Sequence, residues 1–496
     1  MFLSGLTLET FIEPEYGNGM LDKASWKDRK VVIIGAARQG LSLARYLAKN
    51  GAAVVINDRL PEQDLLPQRQ ALSDHFASCY YPVEWVCGSH PMDILDGADT
   101  VFVSGGVPLS LPLIQEAKSR GIPLSNDSQL FLETAPCMVV GITGSAGKTT
   151  TTSLVGSILR KAYQSGSNHV PPCSVWVGGN IGEPLLTMVD EMAKNDLAVM
   201  ELSSFQLELM TRSPQLAVVL NITPNHLDRH KTMQAYTNVK ARIFDFQSRD
   251  GIAVLGRDDK VSWGLAPDIA GKLVSFGVSP LLEGEGTFLK DKDIYYHSDE
   301  GDTRVMASSD ILLRGDHNVQ NVLAAAAISI AMDISPQSVN SGVKSFPGIA
   351  HRLEYVRSWG GADWYNDSIA TTPERAMAAI DSFENPIILL AGGRDKDLPW
   401  EDFAALVNER AKHIIVFGEA AEEISDSIHQ NKRRVGNDSI KKQISKRKGM
   451  RDAVAEAALL VEPGDVVLLS PGGTSYDEFR DFEERGECFK QLVMNL

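Results

Sequence analysis

The sequence predicts a protein built of three open α/β domains. In three successive stretches of the 496-residue chain, short apolar segments typical of buried strands alternate with amphipathic segments typical of helices. The apolar segments end in turns rich in glycine, asparagine or serine, as strands of an open sheet do where they give way to helices. No internal repeat interrupts this order. We place the predicted domains at residues 1–136, 137–347 and 348–496.

The first stretch has the rhythm of a Rossmann-like nucleotide-binding domain. Its first predicted elements are, in order, a strand, a turn, a helix and a second strand: Lys30–Ile34, Gly35–Gly40, Leu41–Asn50 and Ala52–Ile56. The second strand leads into Asp58 and Arg59, so these side chains lie where an open sheet binds its ligands. The turn lacks the G-x-G-x-x-G pattern, which argues against a dinucleotide-dependent oxidoreductase.

The central stretch opens with a glycine-rich loop that predicts a phosphate-loop ATPase-like domain. The loop follows the apolar run 138–140 and precedes an amphipathic segment, which is the strand–loop–helix setting that a phosphate site requires. Ile142 occupies the first glycine position of the usual pattern, so a plain glycine-rich turn is the alternative. We predict an ATP site whose phosphates and Mg²⁺ are bound by loop residues: Gly144, Ser145, Ala146, Gly147, Lys148, Thr149 and Thr150.

Polar residues follow the next predicted strands of this stretch, Leu197–Met200 and Leu216–Ile222. Glu201 ends the first strand, where a carboxylate can hold Mg²⁺ directly or through water. His226 follows the second strand and offers an imidazole to a metal or phosphate. A solvated or capping glutamate and an incidental loop histidine are the plain alternatives.

Lys240 is anomalous on physical grounds. In the predicted helix 235–246 its neighbours three and four residues away are Tyr236, Ile243 and Phe244, which are large and mostly apolar. Burying an ammonium group without a partner is costly, so the side chain must snorkel to solvent, pair with a carboxylate or lose its proton. Snorkelling is the commonest of the three. A neutral amine at this position could react with CO₂ to give a carbamate, a carboxylate that binds metal.

Two further groups of polar residues are candidates for ligand binding. Asn318 and Asn321 are three residues apart on a predicted helix, where they could bond an adenine edge or simply face solvent. In the third, Rossmann-like stretch the positive charges of Arg352, Arg394 and Lys396 could bind an acidic substrate.

Composition excludes several classes of partner. The net charge is −16, which argues against nonspecific binding of nucleic acid or anionic membranes. No apolar run is long enough to span a bilayer, and no signal peptide is recognisable. The five cysteines lack CxxC spacing, which indicates reduced thiols rather than a zinc site. We therefore expect a cytoplasmic protein without nucleic-acid partners or membrane insertion.

Together these segments resemble the Mur ligase family of peptidoglycan synthesis over essentially the whole chain. The phosphate loop with Ile142 fits that family's loop, and the C-terminal blocks resemble the subgroup that adds D-glutamate to UDP-N-acetylmuramoyl-L-alanine. The segments that carry the resemblance are 143–150, 178–182, 201–208, 221–228, 315–321, 351–354, 366–368 and 470–486. The resemblance implies a monomeric, ATP- and Mg²⁺-dependent ligase with an N-terminal UDP-sugar-binding domain, and a C-terminal domain that binds the amino acid and closes on ATP.

The resemblance also implies roles for individual residues. Lys148, Glu201, His226 and a carbamylated Lys240 are the implied catalytic residues, and Thr149, Glu201, His226 and Lys240 are the implied metal ligands. Further ATP contacts are implied for Asn318, Asn321, Arg352 and Asp367. UDP-sugar contacts are implied for Asp58, Arg59, Asn180, Ser203 and Gln206. Glutamate contacts are implied for Thr371, Lys396, Ser475 and Phe482.

Two departures from the family pattern leave alternatives open. Ile369 stands where some members of the subgroup carry a lysine that contacts the acidic substrate, so L-glutamate is an alternative substrate. Gly105 stands where a proline is common in the UDP-sugar loop. A folylpolyglutamate synthase is less favoured, because a complete α/β domain precedes the phosphate loop. An inactive sensor of cell-wall precursors is disfavoured by the intact Lys148, Thr149, Glu201 and Lys240.

Overall fold

The computed structural model describes residues 23–76, 83–164, 173–225, 227–281, 283–395, 398–435 and 443–496. The chain divides into two compact units. The first comprises residues 1–311 and 316–346, and the second comprises residues 312–315 and 347–496. The first unit contains two sheets and the second contains one, so the predicted three α/β sheets are confirmed. The exact domain boundaries stay a prediction.

The first sheet has five parallel strands in the order β3-β2-β1-β4-β5. Its strands are Lys30–Ile34 (β1), Ala53–Asp58 (β2), Val83–Cys87 (β3), Thr100–Val103 (β4) and Leu124–Ser125 (β5). Its helices are Arg38–Lys49 (α1), Leu66–His75 (α2), Pro112–Ser119 (α3) and Asp127–Thr134 (α4). The apolar residues of β1 are completely buried, as expected for the central strand of a sheet covered on both faces.

The second sheet has nine strands in the order β14-β13-β12-β11-β10-β9-β6-β8-β7. Its strands are Met138–Thr143 (β6), Val175–Gly179 (β7), Leu197–Glu201 (β8), Leu216–Val219 (β9), Ile252–Gly256 (β10), Lys272–Phe276 (β11), Glu285–Lys290 (β12), Asp293–Ser298 (β13) and Gly301–Ala307 (β14). Its helices are Lys148–Gln164 (α5), Ser204–Leu207 (α6), Leu227–His230 (α7), Met233–Ala241 (α8), Lys260–Trp263 (α9), Asp316–Ala331 (α10) and Pro336–Lys344 (α11). Strand β12 still pairs in parallel with β11, and only the β12–β13 and β13–β14 pairings are antiparallel.

These two sheets share a hydrophobic core. Leu43 and Leu47 of α1 belong to the same buried cluster as Leu185 and Leu186 of the second sheet's layer. The helix α10 is buried along most of its length, which explains its alanine-rich composition, because small side chains let it pack closely on its neighbours.

The third sheet forms the second unit and has six strands in the order β15-β16-β20-β17-β18-β19. Its strands are Glu354–Trp359 (β15), Ala362–Asn366 (β16), Ile387–Gly392 (β17), Ala411–Phe417 (β18), Gln443–Arg447 (β19) and Val466–Gly472 (β20). Its helices are Pro373–Ile380 (α12), Glu401–Arg410 (α13), Ala421–Val435 (α14), Met450–Leu460 (α15) and Phe482–Met494 (α16). Only β15 is antiparallel to its neighbour.

The structure differs from the sequence expectation in several elements. The helix that carries Lys240 ends at Ala241 instead of residue 246, and strand β9 ends at Val219 instead of residue 222. Sequence reasoning missed strands β12–β14. In β12 three consecutive residues are buried, which hides the usual alternation. Within the described residues, no helix is both long and apolar enough to cross a membrane.

Candidate active site

The phosphate loop lies at the centre of the second sheet. Strand β6 pairs with β8 on one side and β9 on the other, and the loop connects its carboxyl end to α5. Two glycines are sterically required. A Cβ on Gly144 would lie 2.9 Å from the Leu220 Cβ, and one on Gly147, where φ is +81°, would lie 2.3 Å from the Asn321 Oδ1. The backbone can therefore take the tight path of a phosphate cradle only with glycine at these positions.

Asn221 holds the loop in shape. Its side-chain Oδ1 accepts a hydrogen bond from the Ala146 N–H at 2.9 Å, and its Nδ2 donates to the Ala146 carbonyl at 3.1 Å. The Ser145 N–H donates to the Asn221 carbonyl at 2.9 Å. Sequence reasoning did not select Asn221 as a site residue. The feature of the sequence that could have identified Asn221 is its position at the end of the apolar segment that forms β9.

Thr149 and Glu201 form a polar pair beside the loop. The Thr149 hydroxyl donates to Glu201 Oε2 at 2.8 Å, and Asn180 Nδ2 donates to Glu201 Oε1 at 2.9 Å. Glu201 is only 1% exposed, so the alternative of a solvated glutamate is wrong. A hydroxyl and a carboxylate are oxygen ligands of the kind Mg²⁺ prefers when substrate phosphates and water complete its shell. His226 lies outside the described residues, and no described group of three or more acidic, histidine or cysteine side chains forms a metal cluster.

Lys240 is buried beneath the phosphate loop and does not snorkel. The residue is 1% exposed, and its Nζ donates to the Gly144 carbonyl at 2.9 Å and to Thr143 Oγ1 at 3.2 Å. Burial lowers the pKa of Lys240 well below its usual value, the nearby charge of Lys148 lowers it further, and Glu201 opposes the shift. The structure thus places a readily neutralised amine at the loop.

Lys148 reaches back over the same loop. Its Nζ donates to the Gly144 carbonyl at 2.9 Å and to the Ser145 carbonyl at 3.2 Å. The side chain therefore lies along the loop where bound phosphates would meet it.

Asn318 and Asn321 are buried against the loop, so the alternative of surface asparagines is wrong. Asn321 Nδ2 donates to Asn318 Oδ1 at 2.9 Å, and Thr151 Oγ1 approaches Asn321 Oδ1 at 3.4 Å. Asn318 is 8% exposed and Asn321 is 7% exposed. Helix α10 thus brings both amides to the start of α5.

The carboxyl edge of the first sheet is ordered by its own polar residues. Asp58 accepts from the Ala36 N–H at 2.8 Å and from the Leu60 N–H at 3.0 Å, whereas Arg59 is exposed. The Asp58 carboxylate thus already organises the turns that follow β1 and β2.

Ser203 and Gln206 form a reciprocal capping box at the start of α6. Gln206 Oε1 accepts from the backbone N–H and the hydroxyl of Ser203, both at 2.9 Å. Gln206 is fully buried, and its carbonyl accepts from Asn126 Nδ2 at 2.7 Å. These bonds fix both side chains predicted to contact the UDP-sugar.

Arg229 is a further positioning residue that sequence reasoning missed. Its guanidinium carbon lies 3.9 Å from the centre of the Phe205 ring, and it donates to the Gly105 and Val107 carbonyls at 3.2 and 3.3 Å. It also pairs with Glu208 at 3.1 Å. Arg229 thereby ties the turn after β4 to α6, which joins the ligand edges of the two sheets of the first unit.

In the second unit, Asp367 follows β16 and is buried. Its carboxylate accepts from the Leu353 N–H at 3.1 Å and from Ser470 Oγ at 2.9 Å, and burial raises its pKa to about 7. Arg352 lies between His351 (φ +63°) and Leu353 (φ +42°), two non-glycine residues in the left-handed region. Such backbone strain clusters at functional sites.

The predicted glutamate-binding residues belong to neighbouring loops of the second unit. Ser475 is buried after β20, and the Phe482 ring packs edge-on against the His351 ring at 6.3 Å between centres. Thr371 is half-buried in the loop after β16. Lys396 lies outside the described residues. Arg394 is exposed and forms an ion pair with Glu419 at 2.8 Å.

The glycine-rich loop, Lys148 and the Thr149–Glu201 pair define a phosphate-loop nucleotide-binding protein. Three protein-family models match the chain. Residues 29–126 match the model described as "Mur ligase MurD-like, N-terminal domain". Residues 142–329 match "Mur ligase middle domain", and residues 351–473 match "Mur ligase, glutamate ligase domain". The chain belongs to the Mur ligase family.

Curated relatives are similar over almost their whole length. The UDP-N-acetylmuramoylalanine--D-glutamate ligase of Acetivibrio thermocellus is 35% identical, with 96% of this chain and 98% of that protein covered. The protein of the same name from Pelotomaculum thermopropionicum is 39% identical, with 94% and 98% covered. Among solved structures, the UDP-N-acetylmuramate-alanine ligase MurC of Thermotoga maritima has the same fold, with a TM-score of 0.54, 18% identity, and 94% of this chain and 99% of that chain covered.

We predict that Arg229→Ala lowers the free energy of unfolding by about 2–3 kcal/mol. The substitution removes the ion pair with the largely buried Glu208, which keeps only its contact with His230 at 3.4 Å, and it frees two carbonyl groups. Urea denaturation measures the change, with the exposed Lys260→Ala as the matched control. The double variant with Glu208→Gln should recover part of the loss. A change below about 0.5 kcal/mol, the level of an ordinary surface substitution, would contradict this role.

Proposed function

We propose that this protein is an ATP-dependent ligase that adds D-glutamate to UDP-N-acetylmuramoyl-L-alanine during synthesis of peptidoglycan precursors. The observation that supports this proposal best is the pair formed by Thr149 and the buried Glu201 beside the phosphate loop, in a chain that matches D-glutamate ligases over nearly their full length. The products are the amide, ADP and phosphate. The small-molecule substrates require no nucleic-acid or membrane partner.

The reaction proceeds through an acyl phosphate. The terminal carboxylate of the UDP-sugar substrate takes the γ-phosphoryl group of ATP, and ADP leaves. The amine of glutamate then attacks the acyl carbon and loses a proton. The resulting tetrahedral intermediate expels phosphate and leaves the amide. Both steps bring negative charges together, so the chain's contribution is positioning and charge neutralisation. Lys148 supplies positive charge at the loop, where its Nζ lies within 2.9 Å of the Gly144 carbonyl.

The residues at the loop fit a magnesium ion. Thr149 Oγ1 and Glu201 would hold it, because their hydroxyl and carboxylate oxygens already lie 2.8 Å apart. Bound Mg²⁺ would neutralise charge on the phosphate oxygens of ATP. We propose His226 as an additional ligand on the strength of the family resemblance.

We propose that Lys240 is carbamylated and acts with Glu201 at the metal site. Carbamylation requires a neutral amine, which attacks CO₂ and releases a proton. The lowered pKa of Lys240 supplies the neutral form, and its burial protects the product from water. The resulting carbamate would place a negative charge next to Lys148.

The remaining assignments are proposals from the same resemblance. We assign the loop residues 144–150, Asn318, Asn321, Arg352 and Asp367 to ATP. We assign Asp58, Arg59, Asn180, Ser203 and Gln206 to the UDP-sugar, and Thr371, Lys396, Ser475 and Phe482 to glutamate. A monomer in the cytoplasm is proposed, since ATP and the free thiols of the four described cysteines fit a reducing compartment.

We predict that Lys148→Ala abolishes phosphate release while the protein stays folded. Lys148 packs little apolar surface, so its loss removes charge neutralisation and leaves the core intact. An assay of phosphate release tests the loss of activity, and a thermal melt tests whether the protein stays folded. The control is Lys161→Ala, at an exposed position of the same helix. Full turnover of folded Lys148→Ala would remove the ATP assignment.

We predict that Lys240→Ala is nearly inactive and is partly rescued by short-chain carboxylic acids, which replace the missing oxygens. With ¹³C-labelled CO₂, the wild type should give a carbamate signal that Lys240→Ala lacks and the exposed Lys260→Ala retains. An unmodified Lys240 together with activity indifferent to CO₂ would count decisively against carbamylation.

Ile369 generates a prediction about the amino-acid substrate, because isoleucine cannot provide charge to a glutamate carboxylate. Lys396→Ala should raise the KM for glutamate roughly ten- to a hundred-fold, as expected for losing a charge-assisted contact. The KM for ATP should change little. Arg394→Ala should have a small effect, because Arg394 already pairs with Glu419. Equal changes in both constants would refute the role of Lys396, and a preference of the wild type for L-glutamate would favour the alternative substrate.

A further inference from the structure

Arg485 is a buried cation that no motif singled out. It lies near the start of α16 with 0% of its surface exposed. Its Nε donates to Ser368 Oγ at 3.0 Å, its Nη2 to the Ser368 carbonyl at 2.9 Å, and its Nη1 to the Gly473 carbonyl at 3.0 Å. One guanidinium group therefore connects two loops that are distant in the chain.

These loops belong to one edge of the third sheet. Ser368 follows β16 and Gly473 follows β20, and a Cβ on Gly393, which follows β17, would lie 2.8 Å from Arg485 Nη1. The strands β16, β20 and β17 are parallel neighbours, so their carboxyl ends meet where α/β sheets bind ligands. Arg485 thus lies beneath three strand-end loops at the expected ligand edge.

The charge of Arg485 is not neutralised by an ion pair. Its hydrogen-bond acceptors are two carbonyl groups and a hydroxyl, and it forms no ion pair with a carboxylate among the described residues. Burial lowers the pKa of Arg485 to about 10, with Asp477 opposing the shift, so the group stays protonated at neutral pH. Arginine is rarely buried without a charged partner, which makes a purely stabilising role a poor explanation.

The same loops carry the residues proposed to bind glutamate. Thr371 lies three residues after Ser368, and Ser475 lies two residues after Gly473. Ser368 Oγ also donates to the Phe482 carbonyl at 2.8 Å. The position of Arg485 therefore sets the relative positions of the two loops and of the start of α16.

We propose that Arg485 is the positioning residue of the amino-acid pocket. It holds the Ser368 and Gly473 loops in the arrangement that binds glutamate, and it adds a permanent positive charge beneath a pocket for a dicarboxylate. This inference rests on the proposed ligase function, which it deepens by naming what preorganises the amino-acid site.

The test compares Arg485→Lys, which keeps the charge but loses the planar fork of donors, with Arg480→Gln as the control. Arg480 lies five residues away, and its side chain is 83% exposed. The KM is measured for glutamate, ATP and UDP-N-acetylmuramoyl-L-alanine, and hydroxylamine traps the acyl phosphate in the absence of glutamate. Arg485→Lys should raise the KM for glutamate about ten-fold or more, with the other two constants and the hydroxamate yield nearly unchanged. Arg480→Gln should match the wild type.

The outcomes separate this inference from the proposed function. An Arg485→Lys variant with wild-type KM for glutamate, or with equal losses for all three substrates, overturns the positioning role while the ligase assignment stands. A wild type that forms neither hydroxamate nor glutamyl product overturns the ligase assignment and this inference with it. If a thermal melt shows that Arg485→Lys does not fold, Ser368→Ala replaces it as the test variant, because it removes one hydrogen-bond acceptor of Arg485. A selective rise in the KM for glutamate then supports the positioning role, and an unchanged KM overturns it.

Discussion

The convergence of two lysine amines on the carbonyl oxygen of Gly144 is the interaction on which the active site depends. Lys148 and Lys240 each donate to this oxygen at 2.9 Å, and Lys240 is almost completely buried. Two ammonium groups on one acceptor repel each other, and desolvation adds to the cost of charging the buried one. Both effects lower the pKa of Lys240 and so favour its neutral form, whereas Lys148 carries positive charge at the phosphate loop.

The order of the strands in the second sheet places a carboxylate, that of Glu201, beside these two lysines. Because β6 lies between β8 and β9, the end of β8 places Glu201 beside the loop, and the end of β9 places Asn221 against Ala146. Glu201 is held by the neutral donors Thr149 and Asn180, so its charge remains available to a cation. One fixed carboxylate beside one amine of lowered pKa fits the magnesium ion and the carbamate that we propose above.

The sequence predicted the parts of this site whose chemistry is local. Lys148, Thr149 and Glu201 follow from the strand–loop–helix pattern, and Lys240 follows from its large neighbours on one helix face. The sequence could not reveal Arg229 or Arg485, because their acceptors include backbone carbonyls 124 and 117 residues away, and such contacts leave no pattern in composition or spacing. The three sheets were predictable from alternating apolar segments, whereas strands β12–β14 were not, because the burial of three consecutive residues in β12 departs from simple alternation.

Lys240 and Arg485 show how the choice of buried cation follows from the chemistry required of it. Both lie beneath strand-end loops, and neutral oxygens accept the hydrogen bonds of both. A buried lysine can lose its proton, because its pKa falls readily on desolvation, and the free amine can then become a carboxylate. A guanidinium keeps its charge even with a pKa lowered to about 10, and its planar donors fix two loops at once. Exchanging the two residues would therefore place a permanent charge at the proposed metal site, and a flexible point charge beneath the proposed amino-acid pocket.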